Sequence, residues 1–276
     1  MRAPVILRWT DDGLVPSAGA ELRGAIAVAD SWRVDDGSTL ALELHRTRFL
    51  STAAEVAASH DVGEFWDAAI AAIPETGSWF PRVEVRRTST GGGESATDDD
   101  GVLIVRLREA PERLSSVTLA THGGPDPRID PAIKGPSLDV LEALRADARA
   151  DGVDDLVILD ELGHVVEGAA TALAWWRGDI LCLPALELER CDSVTARAMV
   201  ALATATGVRV SWETTAPEEL DGLEVWALNA LHGPRIVTRW IDGPATAEQP
   251  GRLATWRARL SALRVPLPTP IGRPAR

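Results

Sequence analysis

Short apolar runs bounded by turn residues dominate the first hundred positions. Val5-Ile6-Leu7-Arg8-Trp9, Gly24-Ala25-Ile26-Ala27-Val28 and Thr39-Leu40-Ala41-Leu42 each lie between Asp, Gly or Ser and predict strands. Residues 46–58 predict a helix, and residues 63–72 a second one, in which Phe65, Ile70 and Ile73 are spaced by helical rather than alternating steps. Strands follow at 82–87 and 102–107. Between them, residues 88–101 are rich in Gly, Ser and Asp and read as a hairpin loop. Its glycines are not a phosphate loop, because no helix follows them.

A stretch punctuated by Pro and Gly, 109–136, holds one strand at 116–120 and separates this half from the next. The expected boundary lies near Arg113, dividing a small domain, 1–113, from a larger one, 114–276. The second half opens on a helix that starts at Pro136-Ser137, carries apolar residues at 138, 140, 141 and 144, and ends at Gly152. Strand 156–159, turn 160–163 and strand 164–168 come next. A hairpin then forms from 172–176 and 180–183 around Arg177-Gly178-Asp179. The pairing up to this point reads as mostly antiparallel. Asp192 or Ser193 caps a helix over 195–206 that stops at Gly207, and a strand follows at 208–212. Thr215-Ala216-Pro217-Glu218 resembles a capping box. Two further strands, 223–228 and 236–241, complete the pattern, and no internal repeat is present.

Composition narrows the function more than the fold. The chain has 276 residues, 45% of them hydrophobic, and a net charge of −13. Acidic residues are spread along it, so the clustered positive charge of a nucleic-acid binder is missing. No run approaches the ~20 apolar residues that a membrane span needs, and the N-terminus lacks the pattern of a secretory signal. A cytoplasmic protein is the expectation. The five histidines and two cysteines have no zinc-site spacing, and no nucleophile elbow is present. There is no tyrosine, against ten tryptophans, so no phenol can serve in any active site.

Lys134 is the only lysine, against 27 arginines. A guanidinium stays protonated where an ε-amine can lose its proton and attack a carbonyl, so arginine cannot stand in for lysine in Schiff-base chemistry. The bland alternative is a coding bias that this lysine survived by chance. Three other pieces have what a pyridoxal phosphate site needs. Glu167 ends the apolar run Val165-Val166-Glu167-Gly168, where a carboxylate could keep a pyridine nitrogen protonated; alone, it reads equally as a strand residue facing water. Ser193-Val194-Thr195 opens a helix, where backbone N–H groups favour a phosphate, although an ordinary cap looks the same. Arg48, in His45-Arg46-Thr47-Arg48, could fork onto phosphate oxygens, with a solvated helix face as its plain reading and Arg46 as competitor. Asn229-Ala230-Leu231-His232-Gly233 adds polar groups at the end of a strand. His232 there reads as a loop surface residue or, less simply, a general base.

Taken in order, these pieces resemble the class IV aminotransferases, the fold type IV pyridoxal phosphate enzymes that include branched-chain and D-amino acid aminotransferases and aminodeoxychorismate lyase. Lys134 matches the family's Schiff-base lysine. His164-Val165-Val166-Glu167-Gly168 matches the segment whose glutamate meets the ring nitrogen, and Ser193-Val194-Thr195-Ala196-Arg197 is similar to the phosphate-binding turn. Asn229-Ala230-Leu231-His232-Gly233 looks like the Asn-Ser-Leu-Arg-Gly loop of lyase-like members, with alanine replacing serine. Upstream, Asp30-Ser31-Trp32-Arg33-Val34 is similar to a Phe-Glu-Thr-x-Arg-Val segment, and Arg48 falls where the family's phosphate-binding arginine sits.

The resemblance implies an α+β fold of two domains: a small N-terminal α/β sandwich-like domain and a larger C-terminal domain with a β-barrel-like core. It also implies pyridoxal 5'-phosphate bound between them and a homodimer. Cofactor contacts are then expected from Arg48, Lys134, Glu167, Ser193, Val194, Thr195, Asn229 and Ala230. Within the family, the short chain and the 229–233 loop lean towards 4-amino-4-deoxychorismate lyase. An amino acid transaminase of branched-chain or D-amino acid type is the close rival. The absence of tyrosine and of a hydroxyl at 230 departs from the family pattern and motivates a third reading, a non-catalytic descendant kept for binding or dimerisation. Retention of the lone lysine argues against that one.

Overall fold

The computed structural model describes residues 3–17, 19, 22, 24–87 and 101–268. They form two compact units. The first runs to Pro111 and takes back Lys134–Pro136 and the chain from Arg264; the second holds Glu112–Ile133 and Ser137–Leu263.

In the first unit, strands β1 (Val5–Thr10), β2 (Gly13–Pro16), β3 (Ile26–Ser31), β4 (Val34–Asp35) and β5 (Ser38–Thr39) precede helices α1 (Leu42–Val56) and α2 (Val62–Ala71). Strands β6 (Ser78–Trp79), β7 (Arg82–Arg86) and β8 (Val102–Leu107) follow. The main sheet is antiparallel, in the order β2-β1-β8-β7-β3. Strand β4 lies between β5 and β6 in a smaller sheet, which the late strand Val265–Pro266 joins through β5.

Strand side chains alternate across the sheet, and Val83, Val85, Leu103 and Val105 are all buried. Helix α1 buries Leu42, His45, Phe49 and Ala53, which fall on one helical face. Helix α2 buries Val62, Phe65, Trp66, Ala69 and Ile70, and its start is capped by Asp61, whose side chain accepts from Glu64 N at 2.9 Å. Trp32 and Phe49 both pack on Trp66, with ring centroids 4.7 and 5.9 Å away.

The strand expected at 39–42 is cut short. Only Ser38–Thr39 is extended; Ala41 adopts a left-handed conformation, φ 52°, and α1 begins at Leu42, ahead of the expected Arg46. The local Thr-Leu-Ala-Leu pattern loses because Leu42 and His45 belong to the buried helical face. The hairpin loop expected at 88–101 lies, apart from Gly101, outside the described residues.

In the second unit, β9 (Ser116–Thr121), α3 (Leu138–Ala148), β10 (Asp155–Leu159), β11 (Val165–Gly168), β12 (Ala172–Arg177) and β13 (Ile180–Pro184) come first. Helix α4 (Val194–Ala205), β14 (Val210–Glu213), β15 (Glu224–Asn229), β16 (Gly233–Ile241) and α5 (Arg252–Ala262) complete it. Eight strands pair in the order β11-β10-β9-β16-β15-β12-β13-β14, and the sheet curls into a half-barrel. Its inner face is continuous: Val117 and Leu119, Leu173 and Trp175, Val225 and Ala227 are alternate residues of three strands that share one core with Val157, Val165, Cys182 and Trp240.

The second unit is less antiparallel than its sequence suggests. Strands β9 and β10, β9 and β16, and β13 and β14 pair in parallel. Helices α3 and α4 are the crossovers that two of these pairings require. Helix α3 gives way to a 3-10 turn and ends at Gly152, φ 74°, where the sequence places the stop. Helix α5 is absent from the expected elements. It buries Leu253, Trp256 and Leu260, and Trp256 packs edge-on against Trp176 and Trp226 at 5.3 and 6.1 Å.

Candidate functional site

Lys134 and Arg48 meet on neighbouring residues of β3. The Lys134 carbonyl accepts from Ala29 N at 2.6 Å. The next residue, Gly135, lies so close to the strand that a Cβ there would stand 2.4 Å from Ala27 O and 2.7 Å from Val28 Cα. Only glycine lets the backbone approach this far. The lysine is half-buried, and among the described residues its ammonium makes no hydrogen bond or ion pair.

Asp30, beside Ala29, is fully buried. It accepts from Arg48 Nε and Nη2, each at 2.8 Å, and from Ser31 N at 2.6 Å, and its Oδ1 lies 2.8 Å from His45 Nδ1. Burial pushes the Asp30 carboxyl up, but His45 and Arg48 outweigh it and hold the group well below the usual carboxylate range. Arg48 is therefore an anchored side chain of the first unit. Of the two arginines that compete in the sequence as the inward-pointing one, it is Arg48 that bonds to buried Asp30.

In the second unit, β11 brings Glu167 to the segment that leads into α4. Glu167 Oε1 accepts from Cys191 N at 3.3 Å and from Arg128 Nη1. Two residues after Cys191, Ser193 caps α4: its Oγ accepts from Ala196 N at 3.3 Å. The N–H groups of Val194 and Thr195 fall in the first turn, where a helix offers no acceptor of its own. Both residues are buried. Glu167 is thus no strand residue facing water; its side chain is 9% exposed.

Asn229 ends β15, paired with Gly233 of β16, and Ala230 stands in the turn between the two strands. Asn229 Oδ1 accepts from His232 N at 2.9 Å, and its amide nitrogen reaches Ala170 O at 3.5 Å. His232 is half-buried, and its Nδ1 accepts from Leu114 N at 3.2 Å. The histidine ties the turn to the chain before β9, a role neither of its sequence readings anticipated.

Two functional candidates escaped the sequence reading. Asp30 carried the same signal as Glu167, a carboxylate inside an apolar strand. Arg128 carried none, because its partner lies 39 residues away. Among the described residues, no group of three or more His, Cys, Asp and Glu is placed to hold a metal ion, and no helix is long and apolar enough to cross a membrane.

A small antiparallel sheet under two helices, and a curled eight-stranded mixed sheet with two helical crossovers, define an α+β fold of the type IV transaminase class. A family model described as amino-transferase class IV matches residues 27–240. The chain belongs to the class IV aminotransferase family, whose enzymes work with pyridoxal 5'-phosphate.

Solved structures share the fold. CpuTA1, a fold IV transaminase from Curtobacterium pusillum, superposes with a TM-score of 0.76 at 18% identity, covering 94% of this chain and 97% of that one. A branched-chain aminotransferase from the archaeon Thermoproteus uzoniensis, with norvaline, gives 0.80 at 16% identity, covering 95% and 99%. A hypothetical aminotransferase from Mycobacterium tuberculosis, in its PLP-bound form, gives 0.75 at 17%, covering 95% and 98%. A search of curated protein sequences gives no match.

Proposed function

We propose that Lys134 is the amine through which this enzyme engages pyridoxal 5'-phosphate and acts on an amino substrate. One observation carries the assignment: the chain's only lysine is pinned by its backbone to Ala29, next to the carboxylate that orients Arg48.

The residues of the second unit fit the cofactor's two polar ends. Glu167 is a carboxylate shielded from water, suited to accept a hydrogen bond from a protonated ring nitrogen and keep it protonated. Val194 lies three residues beyond Cys191, at most about 10 Å of extended chain, and opens a buried helix start suited to a phosphate. When bound, the cofactor supplies an electrophilic carbon and a ring that withdraws electrons.

The chain's own residues do the rest. Arg48 and the first turn of α4, Ser193 to Thr195, would hold the phosphate, and Asn229 and Ala230 would add to it, the latter with its N–H alone. Lys134 takes a proton from the substrate carbon and returns it, a transfer by a positioned amine that is worth ~10²–10⁴ in rate. We also propose that the protein acts as a homodimer in the cytoplasm, the dimer being checked by light scattering.

For the substrate, the Asn229 to Gly233 turn favours 4-amino-4-deoxychorismate, cleaved to pyruvate and 4-aminobenzoate. The second reading is an amino acid transaminase, favoured by the transaminases among the solved structures of the same fold. Two experiments test the proposal. Purified protein given pyridoxal phosphate shows a visible absorption band that borohydride removes and that Lys134→Ala lacks; wild-type protein without such a band refutes it. Release of 4-aminobenzoate without amino transfer to a keto acid supports the lyase, and the converse supports the transaminase.

A further inference from the structure

We infer that Arg128 is a positioning residue for Glu167: it grips Asp126 and Glu167 at once and so fixes the carboxylate that meets the cofactor's ring nitrogen. The inference rests on the reading of Glu167 given above.

The guanidinium is buried, 4% exposed, although Arg128 lies in an irregular stretch. Its Nε donates to both oxygens of Asp126, at 2.9 and 3.1 Å, and Nη2 donates to Oδ2 at 2.6 Å. The Arg128 backbone N–H also reaches Asp126 Oδ1, at 2.9 Å. One edge of the fork is thereby locked. The remaining nitrogen, Nη1, donates to Glu167 Oε1, the oxygen that Cys191 N approaches from its own side. Two donors on one oxygen determine how the carboxylate is turned.

Arg190, whose charge also acts on Glu167, does not do this. It donates to the carbonyls of Pro184, Ala185 and Leu188. A lysine at 128 could not replace the fork, because a point-like ammonium does not present coplanar donors to two carboxylates. Burial draws the Arg128 guanidinium down, but Asp126 and Glu167 outweigh it and the net direction is up, so the cation persists at any pH the enzyme meets.

A buried ion pair serving only the fold would give the same distances. A double-mutant cycle on cofactor affinity separates the two roles. Cofactor-stripped protein is titrated with pyridoxal phosphate and followed by its visible band and tryptophan fluorescence. Glu167→Gln and Arg128→Met are each expected to weaken binding about tenfold, the scale of one charge-assisted hydrogen bond. The double variant should be no weaker than about the worse single one, and Arg128→Lys should recover only part of the loss.

Losses that multiply to about a hundredfold in the double variant would mean that Arg128 acts independently of Glu167, and the inference falls. It falls equally if Arg128→Met binds like wild type. Were Glu167→Gln to bind like wild type, the ring-nitrogen role of Glu167 would fail and this inference with it, while the Lys134→Ala test above would stand on its own. If Arg128→Met does not fold, Asp126→Asn serves instead. It frees the fork without removing the cation, and about threefold weaker binding is expected when Glu167 is present and none when it is Gln; equal loss in both backgrounds overturns the inference.

Discussion

Replacing Asp30 by asparagine tests how the first unit holds Arg48. The wild-type carboxylate is fully buried and sits against Ser31 N, His45 Nδ1 and two nitrogens of Arg48, at 2.6 to 2.8 Å. Asparagine keeps the shape but turns one oxygen into a donor that faces other donors, and it removes the counter-charge of Arg48. Breaking a buried pair from one side costs about 3–5 kcal/mol. The Arg48 side chain is 15% exposed and can regain some water, so the lower end, about 3 kcal/mol, is expected.

Urea unfolding followed by tryptophan fluorescence reads this directly, since Trp32 packs against both His45 and Trp66. The sign with pH follows from the depressed carboxyl. Its contribution to stability is complete above the ordinary value of 3.8 and is lost as pH falls through the lower, folded value. The gap between wild type and Asp30→Asn should therefore shrink as pH falls below about 4. A loss below about 1 kcal/mol at pH 7, or a gap undiminished in acid, would refute the reasoning. Arg48→Met made in the Asp30→Asn background should cost far less than in wild type, because the partner is already gone.

Three other outcomes are expected. Gly135→Ala places a methyl 2.4 Å from Ala27 O; the Lys134 segment must leave β3, costing about 1–3 kcal/mol and most of the cofactor band, and wild-type absorption would count against the docking. Burial, and then the nearby Glu213 carboxylate, push the Cys182 thiol up to about 12, so a thiol reagent at pH 8 should modify Cys182 only after denaturant is added; rapid reaction of both cysteines in native protein would contradict this. Trp256→Ala empties the site that Trp176 and Trp226 share and should lower stability by about 3–5 kcal/mol, measured by thermal or urea unfolding, with a loss under half that size arguing that α5 is loosely held.

Much of the secondary structure was legible because its signals are local. Gly152 and Gly207 ended helices where left-handed stops were expected, Ser193 capped α4, and alternating apolar residues marked the strands of the half-barrel. Helix α5 carries a local signal too, in Leu253, Trp256 and Leu260 at helical spacing. The helix start at Leu42 was not legible, because its apolar run satisfies a strand and a helix alike until His45 and Phe49 are seen to share its buried face.

By itself, the sequence determined the family, through the order of its motifs, and the one residue able to supply a free amine, since no second lysine exists to compete for that role. Tertiary structure decided the company that the candidate residues keep. Arg48 was paired with Asp30 from 18 residues away, Glu167 with Arg128 from 39, and Lys134 was fastened by its carbonyl to a strand more than a hundred residues earlier. An ion pair or a backbone dock between distant segments leaves no periodicity and no spacing in the chain. It exists only once the sheet brings those segments within the few ångströms over which charges and hydrogen bonds act.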